Sequence, residues 1–471
     1  MTYLLKELPT LQTPDGRLTM FKDKDGLWDP HENAYMMQAC LRDYFYFGTK
    51  SSLETAKRIG DAQINRKVPG SVGSEMAFVL LAEATGDRRY YDWLEGNLMI
   101  RADIRTYDPI VYSGCQHVYT WLGRAHGQEC FALLDGAADL DLADLCAAGD
   151  EAFRRTRGPH MSISGTITGR PRWGELWDES QMGIGSWGET CSSAYLMRLS
   201  ALRTTTDVSS RFGDLYERIL FNALFSAQSS DGLKYCYFTP FNEVHTWFDR
   251  DTFCCPNNFK RAIFEASDAV FFRSADGLVV NLYTPAVLKS DGVEAKMMTE
   301  YPSEGGVALD VRMEKGLRNL TLRIPAWCKD ATVTVSGGSG PQKAASGWYT
   351  IERDWSDGGH VDIDLPMPIR FIRGVRAQEG YVAVMRGPCV YALDPALAKV
   401  RAFNCDPWTI DPSEPLTWDP TNRAVTALCE FDNRFHERRR LPLTRFCTDE
   451  RDKTYFRTLS EVSAETDELW R

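Results

Sequence analysis

No run of apolar residues in this 471-residue chain reaches the length that spans a bilayer. A basic excess is missing too. Lys and Arg are outnumbered, the net charge is −11, and that balance argues against a nucleic-acid footprint and against docking on anionic membranes. Histidine is scarce, at 7 residues, which weakens any chemistry built on paired imidazole bases. No glycine-rich phosphate loop and no Ser-His-Asp arrangement stands out. Met1–Thr10 lacks a basic stretch followed by an apolar one, the mark of a secretory leader. The 13 cysteines are odd in number and scattered, unlike the framework of a small disulfide-stapled secreted domain. A reducing, cytoplasmic setting is the expectation.

What is present is the composition of a globular protein, 43% hydrophobic and 25% charged, in a chain too long for a single core. Aromatic residues make up 12%; they fill large cores and also stack on sugar rings. Residues from about 30 to 270 carry helical periodicity, with helices expected over Ala34–Phe47, Glu75–Thr85, Val118–Leu134, Cys191–Arg203 and Phe212–Ser226. Thr85-Gly86-Asp87 reads as a helix stop and restart. Repeated helix pairs with short links suggest an α/α toroid, though a bundle has the same periodicity. Near residue 275 the pattern changes to short alternating segments, among them Val307–Met313, Leu320–Ile324 and His360–Leu365, set apart by Gly, Ser, Asp and Pro. These predict a β-sandwich, with Ser336–Pro341 as a hairpin tip inside it. The expected division is a helical catalytic domain over 1–270, a β-sandwich over 271–400, and a C-terminal extension over 401–471 packed on the rest. Arg438-Arg439-Arg440 in that extension reads as a solvated face.

The chemistry concentrates in a few short segments. Gly188-Glu189-Thr190-Cys191 and Phe253-Cys254-Cys255-Pro256-Asn257 together offer one carboxylate and three thiols, a soft set of four ligands that suits Zn²⁺. Glu189 and Cys191, two apart, point to one side in extended backbone, and Pro256 predicts a turn in which Cys254 and Cys255 converge. The plain alternative is four unrelated residues, with the cysteines simply buried. Glu175, in Trp173-Gly174-Glu175-Leu176-Trp177, has an aromatic setting that would raise a carboxyl pKa and suit a general acid; an ordinary loop glutamate has the same neighbours. Paired with such a proton donor, a thiolate would take the place of the second carboxylate of a glycosidase. His117 and Tyr237 are candidate substrate ligands, or core residues.

These segments resemble the β-L-arabinofuranosidases of glycoside hydrolase family 127. The similarity includes Gly174-Glu175, Gly188-Glu189-Thr190-Cys191, Asp231-Gly232-Leu233-Lys234 with Tyr237, and Cys254-Cys255-Pro256-Asn257-Asn258. It continues through Asn281-Leu282-Tyr283, Leu322-Arg323-Ile324-Pro325-Ala326-Trp327 and Met385-Arg386-Gly387-Pro388-Cys389-Val390-Tyr391. The resemblance implies an (α/α)6 barrel followed by an antiparallel β-sandwich, and a retaining exo-glycosidase with Zn²⁺. It implies Glu189, Cys191 and Cys255 as metal ligands, Cys254 as both ligand and nucleophile, and Glu175 as acid/base. It also marks departures: Tyr35 and Ser71 stand where the family's arabinofuranosidases carry substrate-binding histidines. The catalytic end of the site is kept while the sugar-reading wall differs.

The expected substrate is a small oligosaccharide or glycoside with a terminal L-arabinofuranosyl or related sugar. The resemblance also suggests a homodimer through the β-region. Two other classes fit parts of the sequence: a non-catalytic carbohydrate-binding protein with a structural zinc, and a sugar epimerase or isomerase on an α/α barrel, which the few histidines disfavour.

Overall fold

The computed structural model describes residues 2–19, 29–67, 74–97, 161–166, 188–206, 209–240, 247–248, 254–290, 292–375, 378–400, 408–432, 436–446 and 453–470. The chain divides into two compact units, Met1–Ala152 and Phe153–Arg471. The expected helix Val118–Leu134 lies outside the described residues.

Among the described residues of the first unit, α1 (Thr2–Leu11), α2 (Asp29–Phe47), α3 (Lys50–Asn65), α4 (Ser74–Thr85) and α5 (Arg89–Asn97) follow one another. α4 is apolar around its whole circumference, and Ala77, Phe78, Val79, Leu81 and Ala82 are all buried. That is the pattern of a helix surrounded by others. The ring of Phe78 stacks on Trp93 of α5 at 3.9 Å. The expected stop and restart is present. Gly86 takes φ 68° and its N–H donates to the carbonyl of Ala82 at 2.7 Å, a left-handed cap that a side chain would strain. Asp87 then accepts from the backbone N–H of Arg89 at 3.0 Å and opens α5.

Among the described residues of the second unit, helices precede the large sheets. α6 (Thr190–Thr206) and α7 (Arg211–Arg218) precede a two-stranded hairpin of β1 (Tyr235–Cys236) and β2 (Trp247–Phe248), then α8 (Cys254–Ala266). The expected helix over Phe212–Ser226 changes its winding: α7 runs into a π-turn over Ile219–Leu224 and a 3₁₀ turn over Phe225–Ala227.

β3 (Phe271–Ser274), β4 (Gly277–Val280), β8 (Asn319–Ile324) and β11 (Gly347–Glu352) form a four-stranded sheet in the order β11-β8-β4-β3. A six-stranded sheet, ordered β10-β9-β12-β7-β6-β5, comprises β5 (Ala286–Ser290), β6 (Val293–Thr299), β7 (Gly306–Met313), β9 (Ala331–Val335), β10 (Gln342–Ala344) and β12 (Gly359–Asp364). Ser336–Pro341 is the tip of the β9–β10 hairpin, as expected. Along β6 the residues Val293, Ala295 and Met297 face inward, while Glu294, Lys296 and Met298 face out, the alternation of a half-buried strand.

A third sheet contains β13 (Ile369–Arg373), β14 (Val382–Arg386), β15 (Cys389–Leu393), β16 (Trp408–Ile410), β17 (Thr417–Asp419), β18 (Ala424–Phe431), β19 (Arg438–Arg445), β20 (Tyr455–Phe456) and β21 (Ala464–Glu465). The boundary expected at residue 400 falls between β15 and β16, which share this sheet. Pairing is antiparallel except between β4 and β8 and between β13 and β21. All five residues of β14 and all five of β15 are buried, so these central strands are covered on both faces. In β19, Arg438 and Arg440 are exposed and pair with Asp411 and Glu430 and with Glu414, a solvated and compensated face.

Buried polar side chains tie α7 to the sheets. Arg218 donates to Asp467 and to the carbonyl of Ile163, at 2.8 and 2.9 Å. Asn222, in the π-turn, donates to the Pro388 carbonyl at 3.0 Å and accepts from the Val390 N–H at 2.8 Å. No described helix is long and apolar enough to cross a membrane.

Candidate metal and catalytic site

The segment before α6 is held straight by β1 and the residues after it. Glu189 forms an antiparallel bridge with Phe238. The Thr190 N–H donates to the Tyr237 carbonyl at 3.0 Å, and the Thr239 N–H donates to the Gly188 carbonyl at 2.8 Å. Gly188 must lack a side chain here, because a Cβ would run into the side chain of Thr166. The helix then starts at once. Both the N–H and the hydroxyl of Ser193 donate to the Glu189 carbonyl at 3.1 Å. Glu189 is therefore extended while Cys191 already lies in the first helical turn, a correction to the expectation that both share extended backbone.

α8 brings the second set. The turn predicted at Cys254-Cys255-Pro256 is instead the first turn of this helix. Proline is compatible with that position because the N–H it lacks has no intrahelical acceptor there. Cys254 and Cys255 occupy its first two positions.

The two helix starts converge. The Sγ atoms of Cys191 and Cys255 lie 3.2 Å apart, and the Cys255 Sγ lies 3.8 Å from Glu189 Oε1. All three ligand atoms fall within 4.8 Å of one another, and all three residues are fully buried. Neither cysteine is in a disulfide. The positive ends of two helix dipoles favour thiolates at this point. Two sulfurs on one tetrahedral zinc at about 2.3 Å lie about 3.8 Å apart, so the observed 3.2 Å is somewhat tighter than that and a small spreading of the two side chains would admit the ion. The chemistry of two thiols and a carboxylate is likewise that of a zinc site.

The cluster also has a polar backing that the sequence reading missed. Asn258, one turn into α8 and buried, donates through Nδ2 to the Cys191 Sγ at 3.1 Å. Its Oδ1 accepts from Arg261 Nε and Nη2 at 3.2 and 3.0 Å. Arg261 Nη1 pairs with Glu265 at 2.8 Å, and Arg198 of α6 closes on the same carboxylate. Arg261 also lies over the Tyr195 ring, 4.4 Å from its centre. Burial lowers the pKa of the Arg198 guanidinium, with the repulsion of Arg261 adding to it. The signal was available in the spacing: Asn258, Arg261 and Glu265 follow Cys255 at intervals of three, three and four, one stripe of a helix.

The family profile described as "Beta-L-arabinofuranosidase, GH127 catalytic domain" matches residues 1–268, more than half of the chain, and that of the "GH127 middle domain" matches 277–367. The chain belongs to glycoside hydrolase family 127. It is a glycoside hydrolase, and that membership sets aside the non-catalytic and epimerase alternatives. The non-reducing end beta-L-arabinofuranosidase of Bifidobacterium longum subsp. longum is 24% identical over 463 residues, spanning 81% of this chain and 70% of the relative. Among solved structures, one glycoside hydrolase superposes with a TM-score of 0.80 at 17% identity, over 97% of this chain and 87% of that one. A GH127 beta-L-arabinofuranosidase from Geobacillus stearothermophilus T6 gives 0.75 at 21% identity, over 97% and 86%. These likenesses show a shared fold. The middle-domain match ends just past β12, before the nine-stranded sheet begins.

Of the residues singled out in the sequence of this GH127 chain, Glu189, Cys191 and Cys255 are brought together. Tyr237 adjoins them through its backbone carbonyl; its half-buried ring lies 4.6 Å from that of Phe238. Tyr35 is half-buried in α2 of the first unit, its ring 4.8 Å from that of His31. Glu175, His117 and Ser71, and the side chain of Cys254, lie outside the described residues.

Proposed function

We propose that this GH127 chain is a retaining exo-glycosidase that releases a terminal L-arabinofuranosyl or related sugar from a small oligosaccharide or glycoside. The barrel and sandwich implied by the family, an (α/α)6 barrel and an antiparallel β-sandwich, would carry the site. The observation that supports the reading best is the convergence of Glu189, Cys191 and Cys255 at the starts of α6 and α8. Zn²⁺ would be held by these three with the thiol of Cys254, and bound there it would keep that thiol ionised at neutral pH.

The steps belong to the chain's own residues. Glu175 gives its proton to the glycosidic oxygen as the Cys254 sulfur attacks the anomeric carbon. The carbon–oxygen bond breaks, a carbon–sulfur bond forms, and the aglycone leaves as an alcohol. Glu175, now a carboxylate, takes a proton from water whose oxygen attacks the same carbon. The Cys254 sulfur leaves as thiolate, and two inversions give net retention. His117, Tyr237, Tyr35 and Ser71 would line the sugar subsite. With Tyr35 and Ser71 in place of two histidines, the preferred sugar is expected to differ from that of the family's arabinofuranosidases.

The test is a screen of nitrophenyl glycosides, pentofuranosides first, with metal content measured in parallel. The reading expects turnover of at least one glycoside with retained configuration by NMR, and about one zinc per chain. Cys254→Ser and Glu175→Gln should each lower kcat by orders of magnitude. Full activity in Cys254→Ser would sink the nucleophile assignment.

A further inference from the structure

We infer that Asn258 is a positioning residue that orients the sulfur of Cys191 as a metal ligand, with Arg261, Glu265 and Arg198 fixing its orientation; the inference rests on the metal reading proposed above. The side-chain amide of an asparagine has two ends that look alike, and the neighbours decide which way it faces. Here they leave no choice. The Arg261 guanidinium has only donors, and it touches one end of the amide through Nε and Nη2 at 3.2 and 3.0 Å. That end must be the carbonyl oxygen. The NH₂ end therefore faces the Cys191 sulfur at 3.1 Å, and sulfur must accept. That contact fixes where the sulfur sits relative to the first turn of α8, and so its direction toward Cys255 and Glu189.

The rest of the stripe keeps the amide turned. Glu265 sits four residues beyond Arg261 on the same face of α8 and pairs with it at 2.8 Å. Arg198, reaching across from α6, grips the same carboxylate. All of these side chains are buried or nearly so, which makes their hydrogen bonds strong and their geometry stiff. Arg198 and Cys191 lie on one face of α6, and Asn258 and Cys255 on one face of α8. The relay thus joins the two helices that supply the ligands and holds their first turns at one separation.

The experiment uses the full-length protein and zinc, with Asn258→Ala and Asn258→Asp compared. Zinc affinity is read by competition with a chromophoric chelator. The near-ultraviolet sulfur-to-metal band is read after cobalt(II) substitution, and circular dichroism of the metal-free proteins reports folding. Loss of the donor is expected to weaken zinc binding about 10- to 100-fold in both variants and to shift the cobalt band. Asn258→Asp decides between positioning and packing, because it keeps the size of the side chain and its contact with Arg261 but sets an oxygen against the sulfur. It should bind zinc no better than Asn258→Ala. Arg261→Lys, which keeps charge but loses the planar fork, should fall between wild type and these variants. Zinc affinity in Asn258→Asp within twofold of wild type overturns the inference while leaving the metal site intact. A wild-type protein that takes up no zinc removes the metal reading and this inference together.

Discussion

Two of the buried acidic clusters among the described residues of the second unit are built in opposite ways. Around Arg323, which is fully buried, the guanidinium meets Asp214 and Glu217, the latter at 2.7 Å, and its Nε donates to the Asn281 carbonyl at 2.6 Å. Tyr301 and Trp327 add donors to Glu217, and the Ala326 N–H adds one to Asp214. The two carboxylates share one cation and several fixed N–H and O–H donors, and the cluster joins α7 to β8. At Glu189, Cys191 and Cys255, the groups drawn together are three potential anions with ligand atoms within 4.8 Å. A buried carboxylate beside a guanidinium is a strut; a buried carboxylate beside two sulfurs is a socket.

The comparison breaks most visibly under substitution at the socket. Cys255→Ala should abolish zinc uptake and reduce glycoside turnover by orders of magnitude, with far-ultraviolet dichroism near wild type. Metal analysis and a rate assay check it; a variant that still holds stoichiometric zinc removes Cys255 from the ligand set. The strut should respond the other way. Arg323→Ala leaves two buried carboxylates without their cation and should cost about 3 to 5 kcal/mol of stability in urea titrations. That is a large part of the total for an ordinary domain. Zinc per folded molecule should not change. If Arg323→Ala loses zinc at full folding, the two clusters are not separable.

How far each cluster could be read from sequence follows from how local it is. The socket's ligand types were visible, since Glu189-x-Cys191 and Cys254-Cys255 are contiguous. Their backbone was not, because Pro256 fits a turn and a first helical turn equally well. The Asn258–Arg261–Glu265 stripe has helical spacing, but its meaning appears only when α8 faces α6, some 60 residues away in the chain. Arg323 gave no local sign at all: its carboxylate partners are more than 100 residues distant. Strands such as β7, with one face inward, were legible by alternation, and the buried β14 and β15 show none. The π-turn at Ile219–Leu224 was invisible because one extra residue in a turn leaves an apolar run unchanged.

A smaller test sharpens the claim that the socket's backbone is shaped for its ligands. Gly188→Ala places a methyl against Thr166 and should cost about 1 to 3 kcal/mol through overpacking. It should also weaken zinc binding, since Glu189 is the next residue. Adding Thr166→Ala makes room and should recover part of both losses, which a double-mutant cycle in stability and in zinc affinity would register. Independent, additive losses would mean that the crowding does not transmit to Glu189.

The smallest effect belongs to an exposed cluster that is neither strut nor socket. On the outer face of the six-stranded sheet, His360 of β12 meets Asp310 of β7 through Nδ1 at 2.6 Å and Asp362 through Nε2 at 3.1 Å. The hydrogen bond to Asp310, ahead of a smaller opposing effect of burial and the contribution of Asp362, raises the imidazole pKa above its ordinary value. The folded protein then holds the proton more tightly than the unfolded chain does. The stabilisation is complete below the unfolded value of about 6.5 and disappears as pH rises through the raised folded value. Because His360 is 40% exposed, solvent screening should keep the effect below about 1 kcal/mol, and added salt should shrink it further. Urea titrations on either side of that window should show wild type losing stability with rising pH and His360→Gln losing less. Equal pH slopes in the two proteins would show that these surface contacts carry no net energy, which is the reverse of what burial does for Arg323.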